Sequence, residues 1–177
     1  MGWVTLTLRK TELKRSHSDY QMKLLQISRE KRQMARQKHY EQTVIRNDQS
    51  SDLRAARDYY NSQRDALNAH LDNAAANNGV TGWDENGDGA ADGNKSASQI
   101  QDMLDDERLL YQEQVNEIKA EAEAQLEMLE VEANDAETAL DQEQVEVEAQ
   151  LEAISAEIEA VGEAISSQIQ SSTIKLS

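Results

Sequence analysis

One nine-residue run carries most of the chemistry this 177-residue chain offers: Asp84-Glu85-Asn86-Gly87-Asp88-Gly89-Ala90-Ala91-Asp92. Asp84, Asn86 and Asp88 alternate, so three side-chain oxygens can converge on one centre. Gly89 permits a sharp turn, Ala90 can offer its backbone carbonyl, and Asp92 can bind directly or through water. Oxygen ligands in this pattern suit a hard divalent cation. Nothing comparable occurs elsewhere. His17, His39 and His70 are far apart in sequence, and Cys is absent. No nucleophile motif, P-loop or GxGxxG is present. The many paired carboxylates after residue 100 read as a solvated Glu face. The chain is therefore not expected to be an enzyme.

The D-x-N-x-D-G-x-x-D spacing resembles the start of an EF-hand calcium loop. Position 12, where an EF-hand has a bidentate Glu, is Lys95. The run is thus more similar to the shorter Asp-rich calcium loops of dockerin-like and thrombospondin-type repeats. The resemblance covers nine residues. It implies a calcium site built from Asp84, Asn86, Asp88, Ala90 and Asp92, of modest affinity, about 10⁻⁴–10⁻³ M. Such a site would order the loop, and the adjacent Trp83 would pack the loop or contact a partner.

The segments that must hold this loop differ sharply in charge. Residues 1–76 carry a net +5, residues 77–99 a net −3 and residues 100–177 a net −18, within a chain of −16. Pro and Phe are absent, and six of the seven Gly lie at position 2 or between 79 and 93. Long uninterrupted helices are the expectation. In the acidic segment, apolar or small residues recur from Tyr111 to Ile169 in steps of three and four, with Gln144 filling one gap. That is the helical period. Ser96 or Ser98 would cap this helix, with Gln99 or Asp102 reaching back. In the basic segment Leu13, Tyr20, Leu24, Ile27 and Met34 share a stripe, which Met22 and Leu25 widen. Leu53, Ala56, Tyr60, Leu67, Leu71 and Ala74 continue it. The polar run 47–52 reads as a kink or a fresh cap at Ser51 or Asp52. Residues 3–8 alternate and fit a short strand or the opening of the helix equally well.

The fold expected is all-α: a long antiparallel helical hairpin, coiled-coil-like, with an Asp/Gly-rich loop at its tip. Its parts are a basic N-terminal arm (1–76), a tip loop (77–97) and an acidic C-terminal arm (98–177). Each arm would run on the order of 100–110 Å. Two helices cannot enclose a core, so assembly with further helices is expected. Residues 1–8 carry no charged side chain, and residues 164–177 carry only Lys175. In a hairpin these ends form an apolar base of Trp3, Val4, Leu6, Leu8, Ile165, Ile169, Ile174 and Leu176.

No stretch is apolar enough for a transmembrane segment, and residues 1–10 lack the basic-then-apolar pattern of a cleaved signal. The run Arg29, Lys31, Arg32, Arg36 and Lys38 could meet phosphates, but the overall negative charge argues against nucleic acid as a partner.

Paired N- and C-terminal helices, no Cys, no cleaved-signal pattern at residues 1–10 and a separate segment between the arms resemble flagellin cores and type III secretion filament proteins, which place variable segments there. The resemblance is architectural and carries no motif. It implies a secreted, self-assembling structural protein, extracellular or at the cell surface and cytoplasmic before export. The other readings are a calcium-dependent coiled-coil adaptor with a partner at the tip loop, and a phage virion structural protein.

Overall fold

A computed structural model describes residues 2–83 and 93–174, with side chains to Ser171. The described chain is an all-α helical hairpin of two long helices packed against each other. Helix α1 spans Trp3–Ala76 and helix α2 spans Ala97–Ile174. Between them lies a two-stranded antiparallel ribbon, β1 (Val80–Trp83) and β2 (Gly93–Ser96). The chain divides into two compact units: Met1–Tyr40 with Leu129–Ser177, and Glu41–Met128.

The stripe that sequence periodicity draws on α2 is the face that turns inward. From Tyr111 to Ile165 its members are buried or half-buried, and Gln144 is half-buried in its gap. Ala136 and Ile169 are the exposed exceptions. On α1, Leu13 and Ile27 are buried, as are Leu67 and Ala74, and the other stripe members are half-buried. Met22 and Leu25 do not widen this stripe; they are 65% and 54% exposed. At about 100° per residue both fall on the side of α1 away from the seam.

Two open alternatives are decided and one expectation is corrected. Residues 3–8 open α1 as helix, not strand. Helix α1 runs through Ser51 and Asp52 without a fresh start; with no Gly or Pro there, nothing outweighs the continuing apolar stripe. The segment 77–97 is more than a loop, because residues 80–83 and 93–96 pair as strands. Val80 pairs with Ser96, Thr81 with Lys95, Gly82 with Asn94 and Trp83 with Gly93.

The helix ends explain how the chain enters and leaves this ribbon. Asn78 and Gly79 both adopt positive φ, 60° and 85°. The Gly79 amide donates back to the Ala74 carbonyl (2.8 Å), the six-to-one bond of a left-handed helix stop. Asn and Gly are the residues that tolerate this conformation. The Ala97 amide then donates to the Gly79 carbonyl (3.1 Å), tying the start of α2 to the same turn. Ser96 caps α2 reciprocally. Its amide donates to Gln99 Oε1 (2.9 Å), and its Oγ accepts from the Gln99 amide (3.3 Å). This is the capping box expected of Ser96 and Gln99.

Within the Glu41–Met128 unit, Leu67, Ala74 and Ile100 form the buried centre, covered by Leu71, Trp83, Ala97, Met103 and Leu104. Tyr60 and Tyr111 stack across the helices, with centroids 4.7 Å apart and planes at 17°. Ile100 is fully buried among these groups. Replacing it with Ala removes transfer free energy and leaves a cavity, so Ile100→Ala should cost about 2–5 kcal/mol in urea unfolding followed by circular dichroism. Ser96→Ala removes the cap, together with the Ser96–Ser98 hydroxyl contact (2.9 Å), and should cost about 1 kcal/mol in the same assay.

Candidate functional site

The first candidate region lies in the unit formed by Met1–Tyr40 and Leu129–Ser177. Here the start of α1 runs beside the end of α2. Arg9 donates to Glu157 through Nε (3.0 Å) and Nη2 (2.7 Å). That hydrogen bond, followed by the carboxylate's charge, raises the Arg9 pKa above its ordinary value. Lys23 pairs with Glu143 at 3.0 Å. Lys31 reaches Asp141 and donates to Gln144 Oε1 at 2.6 Å. These pairs run in opposite sequence order on the two helices, which fixes an antiparallel register. Exposed pairs of this kind orient the helices more than they stabilise them.

The apolar residues assigned to the base take two positions. Leu6 and Ile165 are half-buried in the helix seam. Trp3, Val4, Leu8 and Ile169 are 59%, 57%, 62% and 55% exposed. The side chains of Ile174 and Leu176 lie outside the described residues. Nearby, Lys10, Ile158, Glu159, Gly162 and Ser166 line an open hollow of 540 Å³. Gly162, the single Gly inside a helix, leaves room for Lys10: a Cβ there would stand 3.0 Å from Lys10 Nζ.

Reading only apolar residues misses the lysines of this seam. Lys10, His17, Leu24, Lys31 and Lys38 recur every seven residues, and all are half-buried. They alternate with Leu6, Leu13, Tyr20, Ile27 and Met34. Long Lys stems can cover apolar surface while the ammonium reaches a partner. The facing helix is acidic, which makes basic residues acceptable at these positions. The seven-residue spacing of the basic residues was the available signal.

The second candidate region is the ribbon that bears the Asp-rich run. Asp84, Asn86, Asp88, Ala90 and Asp92 all lie outside the described residues. Their flanks are described. Trp83 and Gly93 are paired, so residues 84–92 span from one strand end to its partner. Trp83 does not project freely. His70 lies against it with centroids 4.9 Å apart, and Lys95 Nζ stands 4.3 Å from the ring centroid. Lys95 Nζ also lies 3.7 Å from Met103 Sδ. Position 12 of the calcium-like spacing is therefore engaged by the ribbon's own Trp and by α2. His70 Nδ1 is buried without a hydrogen-bond partner. Among the described residues, no three His, Asp or Glu side chains group so as to hold a metal ion. No described helix is long and apolar enough to cross a membrane.

No protein-family model, curated protein or solved structure matches this chain.

The Lys95–Trp83 contact is open to a direct check. In a Trp3→Phe background, Trp83 is the sole Trp. Lys95→Ala should raise its quenching by acrylamide, and should destabilise the ribbon by about 0.5–1 kcal/mol, as expected for an exposed cation–π contact.

Proposed function

We propose that this chain is a structural subunit that assembles with copies of itself into a helical polymer or bundle, such as a secreted bacterial surface filament. The observation that carries this reading is the apolar surface left uncovered at the paired helix ends. Trp3, Val4, Leu8 and Ile169 are large, apolar and more than half exposed, in a stretch with almost no charge to solvate them. Large apolar side chains left exposed together mark an interaction surface. The thin core supports the same reading. Only seven apolar residues are buried among the described ones, so much of the apolar content of both helices awaits cover. Assembly would draw on both arms, and the reading gives the chain no catalytic role.

In this reading the Asp-rich run faces solvent and holds calcium through Asp84, Asn86, Asp88, Ala90 and Asp92. Two features favour that assignment. The residues that flank the run, Trp83 and Gly93, are paired as strand partners, which lowers the entropic cost of closing a loop between them. Lys95, the residue that departs from the calcium pattern, spends its charge on the Trp83 ring. These same features give weight to a second reading, a calcium-dependent interaction module or a virion component with a partner at the loop.

Negative-stain microscopy and sedimentation at rising concentration test the assembly. The expected result is growth beyond any fixed small oligomer, lost in Trp3→Glu plus Leu8→Glu. Discrete small oligomers that persist at every concentration would favour the module. For the loop, terbium luminescence sensitised by Trp83 should appear with the intact chain and disappear in Asp84→Ala plus Asp88→Ala. A signal that survives both changes removes the calcium assignment.

A further inference from the structure

Each helix of the Met1–Tyr40 and Leu129–Ser177 unit carries a second stripe, on the side away from the seam. On α1, Arg15, Met22, Leu25, Arg29, Arg32 and Arg36 recur in steps of three and four, and every one is exposed. Thr11 and Ser18 complete the spacing, so the stripe contains four arginines and no carboxylate. On α2, Asp135, Val145, Ala149, Glu152, Glu159 and Glu163 form the corresponding outer stripe, also exposed throughout. With Thr138, Gln142 and Ala156 it contains four carboxylates and no base. Apolar residues sit at the middle of both: Met22 and Leu25 on one, Val145 and Ala149 on the other. An open hollow of 420 Å³ is lined by Asp19, Met22, Lys23, Leu25, Gln26 and Arg29.

We infer that the outer stripe of α1 in one copy docks on the outer stripe of α2 in the next. The inference rests on the self-assembly reading and names the lateral contact within it. Charge selects the pairing. The α1 stripe would repel another α1 stripe, and the α2 stripe another α2 stripe, whereas α1 against α2 is complementary. The register within one chain gives a frame in which to align the two stripes. Arg9 meets Glu157, Lys23 meets Glu143 and Lys31 meets Asp141. A neighbour held in that same antiparallel register brings Leu25 level with Val145, Arg36 level with Asp135 and Arg15 level with Glu152. Apolar centre then meets apolar centre, and arginines meet carboxylates on both sides of it. Because the two surfaces differ, the contact is heterologous and leaves one free α1 stripe and one free α2 stripe after every addition. Such a contact propagates into an open-ended array unless its rotation closes a ring.

Charge reversal on the full-length chain tests this by sedimentation and microscopy. Arg29→Glu plus Arg36→Glu makes the α1 stripe acidic; Asp135→Lys plus Glu152→Lys makes the α2 stripe basic. Each variant alone should need about tenfold more protein to assemble at low salt, as expected for removal of complementary charge. An equimolar mixture of the two should assemble near the wild-type concentration, since each then offers the stripe the other lacks. The milder Arg29→Gln plus Arg36→Gln keeps good helix formers and should shift assembly in the same direction by a smaller factor. Unchanged helical circular dichroism accompanies the expected result. Assembly of each charge-reversed variant at the wild-type concentration would overturn the inference, and so would a mixture that fails to recover. If Trp3→Glu plus Leu8→Glu abolishes assembly while these variants do not, the self-assembly reading stands and the lateral contact falls. A wild-type chain that never associates overturns both.

Discussion

A helix buries its apolar stripe only as far as its neighbours reach around it, and here each long helix has one neighbour. That constraint accounts for the shape of the core. Stripe residues on α1 and α2 are mostly half-buried, with full burial confined to points such as Ile27, Val147 and the Leu67–Ala74–Ile100 group. It also accounts for the residues left outside. Met22, Leu25 and Val145 sit beyond the arc a single partner covers, and Val4 and Leu8 fall on that same outer side of α1, with Trp3 beside them.

The charge asymmetry follows from the same geometry. With a narrow apolar contact, residues at the edges of the seam sit close to the facing helix and must suit it. The basic first arm supplies Arg9, Lys23 and Lys31 to an acidic second arm that supplies Glu157, Glu143 and Asp141. Lys10, His17, Lys31 and Lys38 go further and occupy positions in the seam itself. Screened surface pairs add little stability, yet like charges facing one another would oppose the pairing. The charges thus act chiefly on orientation and register, and that action extends to surfaces that a second copy would meet.

The connection between the helices uses a different economy. A chain that reverses direction between two helices needs few residues, yet this one inserts a strand pair and an Asp-rich run. The ribbon is joined to the helices through Trp83, which rests against His70 and the Leu67–Ala74–Ile100 centre, and through Lys95 on its ring. Two four-residue strands would be marginal alone. Packing of one large aromatic side chain onto the helix pair gives the ribbon an anchor beyond its backbone bonds.

Much of the architecture was legible in the chain itself. The absence of Pro, the position of the Gly residues and the three-and-four spacing from Tyr111 onward determine two long helices and which face of each is apolar. Ser96 and Gln99 determine where α2 begins, because capping chemistry is local. What the sequence left undecided were features in which distant residues choose between local alternatives. Residues 3–8 alternate like a strand, but as the opening turns of α1 they place Leu6 in the helix seam. Residues 80–83 and 93–96 have weak strand signals, and only their mutual pairing and the seat for Trp83 make them a ribbon. The polar run at 47–52 resembles a cap, but a continuous partner helix keeps α1 unbroken through it. Inward-facing lysines are polar by composition and seam residues by position, and that distinction exists only once an acidic helix lies opposite. Local propensity and period are properties of single segments; pairing, register and burial are properties of two segments in contact, so the tertiary structure alone could decide them.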